Sequence, residues 1–160
     1  MHFNRTACAV PLKCYLEDFP TVQELERANS VAAEAAVLVR VILPDSVSTE
    51  DPLEELEGLT TTAGARVVGT MVQRREQPDV TAYIGSGKVM ELEALVKDRN
   101  ADIVIFDNEL QPSQTRNLEQ KIGVKVLDRT ELILDIFASN ARTYEARLAV
   151  ELAQLEYSLP

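Results

Sequence analysis

Two apolar runs restrict the fold of this chain more than any other feature: VLVRVIL at residues 37–43 and DIVIF at residues 102–106. Each has the length of a strand, and neither alternates apolar with polar residues. A strand wetted on one face alternates. A continuous run fits a strand covered on both faces, as in a parallel sheet between layers of helices.

The intervening sequence supplies those helices. Pro44 stops the first run. Asp51 reads as a helix cap, with Pro52 at the first helical position and Glu54 three residues after the cap. Leu53, Leu56 and either Leu59 or Thr60 then face inward, and Gly64 ends the helix. RVVGTMVQ at 66–73 is a second strand. Pro78 breaks the chain before a short strand expected at 81–84. No helix fits between 70 and 84, so this pair reads as an antiparallel hairpin. Gly85, Ser86, Gly87 and Lys88 turn into a helix with Val89, Leu92, Leu95 and Val96 as its buried stripe and Asn100 at its end. After the second apolar run, 107–111 is a loop. Pro112 starts a short helix that Gly123 ends. Residues 124–127 form a final short strand. Asp128 and Glu131 have capping-box spacing for the next helix, whose Leu132, Ile133, Ile136 and Phe137 make one apolar face. The expectation is an α/β fold: a mostly parallel small sheet flanked by helices.

From Thr143 a last helix begins. Leu148, Leu152, Leu155 and Leu159 step by four, three and four, and Ala146, Val150, Ala153 and Tyr157 repeat those steps beside them. The two rows make a wide apolar seam of heptad type. Such a face must bury itself on something. The expectation is that its partner lies in sequence beyond Pro160, so that this helix begins a helical hairpin; folding back on its own domain is the alternative. Without a partner, pairing of two copies through the leucines gives a symmetric homodimer. The expected organisation is an N-terminal extension at 1–36, partly disordered but with a helix at 21–36, an α/β domain at 37–142 and the start of a helical subdomain at 143–160.

A chain of 160 residues with 46% apolar content suits one soluble domain. A net charge of −10 argues against gripping nucleic acid over the whole surface. The two cysteines, Cys8 and Cys14, and the single histidine, His2, supply no usual zinc site and no nucleophile–histidine pair. No apolar run reaches membrane-spanning length and no signal peptide is evident, so a cytoplasmic location without membrane contact is expected.

Two places invite chemistry. Glycines between a strand and a helix can aim backbone N–H groups at a phosphate, and Lys88 adds a cation. The turn is not a Walker A loop, which needs a glycine six residues before the lysine and a Ser or Thr after it; Ala82 and Val89 stand there. The plainer reading is a tight turn with Ser86 as cap and Lys88 in water. Asp107 and Asp128 follow two neighbouring strands at the edge where open parallel sheets bind ligands. Paired carboxylates there can hold Mg²⁺ or act as acid and base; both positions equally suit capping. Arg116, Arg129 and Arg142 are candidate partners for these acids.

Three stretches carry a family resemblance, in order and spacing: AYIGSGKVMEL, IVIFDNELQPSQTRNLEQ and DRTELILDIFASNARTYEARLAVELAQLEYSLP. Together they resemble the HflX family of ribosome-associated GTPases. Asn108 stands where that family usually has a second acid, Glu131 where glycine is common, and Tyr144 and Ala146 where it tends to have a basic residue and a glycine. The resemblance implies an N-terminal domain that precedes a helical hairpin and a GTP-binding domain. It implies GTP and Mg²⁺ as cofactors of that missing domain, none being expected in this chain, and the chain's own GTPase domain and the 50S ribosomal subunit as partners, with a role in splitting stalled ribosomes. The chain itself is then expected to be a non-catalytic docking and regulatory module that does not hydrolyse GTP. The family has also been credited with adenine-nucleotide binding in this region. The alternative is therefore a self-standing ATP- or GTP-binding domain using Gly85, Ser86, Gly87 and Lys88 with Asp107 and Asp128.

Overall fold

The computed structural model describes residues 31, 33–44 and 53–158, with the last of these by its backbone alone. Among the described residues four strands and five helices follow one another: β1 Ala35–Ile42, α1 Glu54–Thr62, β2 Arg66–Arg74, α2 Ser86–Arg99, β3 Ile103–Phe106, α3 Pro112–Ile122, β4 Lys125–Asp128, α4 Arg129–Asn140 and α5 Tyr144–Ser158. The strand order is β2-β1-β3-β4, and every pair is parallel.

The apolar runs are explained by burial on both sides. Val37, Val39 and Val41 of β1 join Val104 and Phe106 of β3 on one face, under Val89, Leu92 and Val96 of α2 and Leu118 and Ile122 of α3. Ala36 and Leu38 join Ile103, Ile105 and Leu127 on the other, against Leu56 of α1 and Leu132 of α4. Successive residues of a strand point to opposite faces, so both sets must be apolar. Burying one such side chain stabilises by about 1.5–3 kcal/mol.

The helix ends follow their local chemistry. Asn100 closes α2 at φ 49°, in the left-handed region that asparagine tolerates. Gly123 closes α3 at φ 81°. At the start of α3, around Pro112, the Gln111 N–H donates to Gln114 Oε1 at 3.0 Å and the Gln114 N–H to the Gln111 carbonyl at 2.8 Å.

Several expectations are corrected. No strand forms at 81–84, and there is no hairpin. The Asp79 side chain accepts hydrogen bonds from the Thr81 and Ala82 N–H groups, at 2.8 and 3.3 Å. This folds the segment into a turn, leaving a single antiparallel bridge between Asp79 and Tyr83. Gly85, not Ser86, is the N-cap of α2, and it offers no side-chain bond. Ala35 and Ala36 belong to β1 rather than to a helix ending at 36; the rest of that expected helix lies outside the described residues, apart from Val31, Ala33 and Glu34, which belong to no element. So does the proposed Asp51 cap, and α1 starts at Glu54 behind Leu53. Phe137 is 58% exposed. The inward stripe of α4 runs through Leu132, Asp135 and Ile136, because Asp135 accepts the Val31 N–H at 3.2 Å. Phe137 stands a further 100° around the helix.

Candidate functional site

All four strands point the same way, so the loops that follow them gather at one edge. The helices after β1 and β3 lie on opposite faces. That makes the carboxyl end of the β1–β3 boundary the crevice where an open sheet of this kind offers a ligand site.

The chain's own side chains fill that crevice. β3 stops at Phe106 while β1 runs on to Ile42. Asn108 takes over: its Oδ1 accepts the Val41 N–H at 2.7 Å, and its Nδ2 donates to the Val41 carbonyl at 3.0 Å. One amide thus continues the ladder as a peptide group would. Tyr83 hydrogen-bonds Asn108, and burial raises its phenol above the ordinary tyrosine value. Asp107 does not cap. Its two oxygens each meet a guanidinium, Arg40 at 3.2 Å and Arg129 at 3.2 Å, and Arg129 also pairs with Glu55. Of the three arginines expected near these acids, Arg129 arrives. Arg40 was missed, although it is the one charge inside the first apolar run.

Asp128 is 3% exposed and fully engaged. Its Oδ1 accepts the Glu131 N–H at 2.9 Å, which makes it the α4 cap. Its Oδ2 accepts the Leu110 N–H at 3.4 Å and the Tyr157 hydroxyl. Glu131 closes the box by accepting the Asp128 N–H, and burial raises its carboxyl above the ordinary range, with the Asp128 charge adding to the effect. The Tyr157 partner was invisible in sequence, where Tyr157 is one more member of an apolar row.

The glycine turn meets the sheet at β2. The Gly85 N–H donates to Gln73 Oε1 of β2 at 3.1 Å. β2 and β4 are the two edges of the sheet, three strand spacings or about 14 Å apart. Among the described residues no hydrogen bond or ion pair joins Gly85, Ser86, Gly87 or Lys88 to Asp107 or Asp128. Lys88 pairs with Glu91 on its own helix. The Arg75 guanidinium lies beside Gly85, 3.2 Å from where a Cβ would stand, and its Nη1 is buried with no hydrogen-bond partner among the described residues.

The two apolar rows of α5, expected to make one seam, stand two residues or about 160° apart around the helix and part company. The helix lies against α4. Ala146, Val150, Ala153 and Tyr157 are half-buried. Leu148, Leu152 and Leu155 are 47%, 58% and 63% exposed. Leu159 lies outside the described residues. Among the described residues no helix is long and apolar enough to cross a membrane, and no three His, Cys, Asp or Glu side chains cluster as metal ligands.

A family model described as "GTP-binding GTPase N-terminal" matches residues 50–138, which spans α1 through most of α4. This chain belongs to the HflX GTPase family. Among its relatives, "GTPase HflX" of Alkalihalophilus pseudofirmus is 54% identical over 111 residues, covering 69% of this chain and 26% of the relative. "GTPase HflX" of Escherichia coli is 44% identical over 126 residues, covering 79% of this chain and 29% of the relative. A GTP-binding protein from Sulfolobus solfataricus, solved in complex with GDP, superposes with a TM-score of 0.61 at 30% identity, over 79% of this chain and 37% of that one. The chain thus spans less than a third of the length of these curated relatives, and it corresponds to the family's N-terminal domain.

Proposed function

We propose that this chain is a non-catalytic module of an HflX-type GTPase, one that docks the whole protein on the 50S ribosomal subunit in the cytoplasm and restrains its GTPase domain during ribosome splitting. The observation that carries this reading is the self-satisfied sheet edge. Asp107 is spent on two arginines, Asp128 on a cap and two further donors, and Asn108 seals the crevice. Such an edge supports recognition better than turnover. GTP and Mg²⁺ belong, on this reading, to the rest of the full-length protein. The test is co-sedimentation of the chain with purified 50S subunits, against the full-length protein with GTP. Binding by the chain, together with loss of subunit splitting when the domain is deleted from the full-length protein, is the expected result. Splitting that persists without the domain overturns the reading.

The unpartnered Arg75 Nη1 beside Gly85 supports a second reading, a nucleotide phosphate at the start of α2. Calorimetric titration with ATP and with GTP, each with Mg²⁺, decides between the two. Micromolar binding that is lost in both Arg75→Ala and Lys88→Ala favours the second. The docking reading expects no such binding, because Lys88 is held by Glu91.

A further inference from the structure

The way α5 is turned is not the way apolar burial alone would turn it. The side facing the domain carries two alanines, a valine and a tyrosine, while three leucines look outward. Rolling the helix by about 160° about its axis would exchange the rows, since each leucine stands two residues from its counterpart at about 100° per residue. Leucine burial outweighs alanine burial, so something specific must oppose the roll.

The inward row itself carries one polar side-chain atom, the Tyr157 Oη; Gln154, half-buried on its flank, is engaged as well. It meets Asp128 Oδ2, with Thr130 beside it. That acceptor cannot follow a moving helix. Asp128 is buried, its other oxygen is committed to the Glu131 N–H, and it forms the corner between β4 and α4. At the opposite end of α5 the Ala146 N–H donates to Thr143 Oγ1 at 3.2 Å, and Arg147 Nε donates to the Ala141 carbonyl at 3.3 Å. Both contacts lie in the connecting turn, about 20 Å from Tyr157 at 1.5 Å per residue. They fix where the helix starts. They set its roll less firmly further along.

We infer that the Tyr157–Asp128 hydrogen bond is the contact that fixes the rotation of α5 and keeps Leu148, Leu152 and Leu155 at the surface. A single buried polar pair is a well-attested means of choosing one helix register over an apolar competitor. Burial, followed by the bond to Asp128, raises the Tyr157 phenol well above its ordinary value, so it remains a donor at every physiological pH. The sheet edge and the leucine face are then linked: a change that withdraws Asp128 also withdraws the leucines.

Thiol labelling tests this directly. In a background with Cys8→Ser and Cys14→Ser, Leu152→Cys and Val150→Cys are introduced separately and reacted with a maleimide. With Tyr157 present, position 152 should react at least tenfold faster than position 150. Adding Tyr157→Phe, which keeps the ring and removes the hydroxyl, should slow position 152 and speed position 150 until the order reverses. Asp128→Asn, which keeps a capping oxygen for α4, should shift both rates in the same directions. Circular dichroism confirms that each variant is folded. Unchanged rates would overturn the inference. So would acceleration at both positions, which would mean that the bond restrains fraying and not rotation.

Discussion

Asp128→Ala is the most informative single perturbation, because one buried carboxylate serves three donors. Loss of the α4 cap costs about 1 kcal/mol. The Leu110 N–H, in a buried residue, loses its acceptor. A stranded buried N–H costs roughly 1–3 kcal/mol, and the 3.4 Å length places this one at the low end. The Tyr157 hydroxyl is half-buried and can turn to water, adding less than about 1 kcal/mol. The expected total is about 2–4 kcal/mol. Asp128→Asn separates the roles. Its oxygen can keep the Glu131 N–H, but its NH₂ replaces Oδ2 and faces the Leu110 donor, so a loss of about 1–2 kcal/mol is expected. The chain has no tryptophan, so urea unfolding is followed by circular dichroism at 222 nm. A double-mutant cycle with Tyr157→Phe should return a coupling of at least about 0.5 kcal/mol. Should Asn be neutral, or Ala cost no more than a cap, the carboxylate is a cap and nothing else, and the reasoning about its second oxygen fails.

Asp107→Ala removes an acceptor shared by two guanidinium groups, at a side chain only 9% exposed, and should destabilise by about 2 kcal/mol, whereas Glu55→Ala, at the wet end of the same network, should leave the urea midpoint unmoved. Glu131 holds its proton in the folded state at a pH where the unfolded chain has released it, so its contribution falls as pH rises through that window and the deficit is complete at neutrality. Glu131→Gln should therefore resist urea better than the parent protein at pH 7, and the advantage should vanish below about pH 4, a profile read from paired titrations. Leu152→Glu replaces an exposed side chain and should leave the fold intact; light scattering across concentration should find any homodimer of the chain lost in this variant, and unfolding of the variant would show that the leucine row packs internally.

The layered α/β fold was legible because it depends on pattern. Continuous apolar runs at 37–43 and 102–106, with helical stripes between them, leave little choice but a sheet covered on both faces, and Asn100, Gly123 and Asp128 end or cap their helices through chemistry confined to a few neighbouring residues. The misreadings occur where a distant partner decides. The segment at 81–84 looks like a strand until Gln114, 35 residues beyond Asp79, claims the Asp79 carbonyl at 2.9 Å and holds the turn in place. Phe137 looks inward until Val31, 104 residues before Asp135, sets the face of α4. Arg40 interrupts an apolar run, and the reason is a carboxylate that stands next to it only after β1 and β3 pair. The same holds for the candidate sites. Lys88 and Asp128 are equally suggestive as letters, and the fold gives them separate partners, Glu91 for Lys88 and the Glu131 N–H, Leu110 N–H and Tyr157 hydroxyl for Asp128. Which of two apolar rows α5 buries was undetermined by sequence, since both have helical spacing; it is set by a tyrosine hydroxyl that reaches a buried carboxylate 29 residues away. Periodicity belongs to the chain itself, whereas the pairing of a buried polar group exists only once tertiary contacts have removed its water.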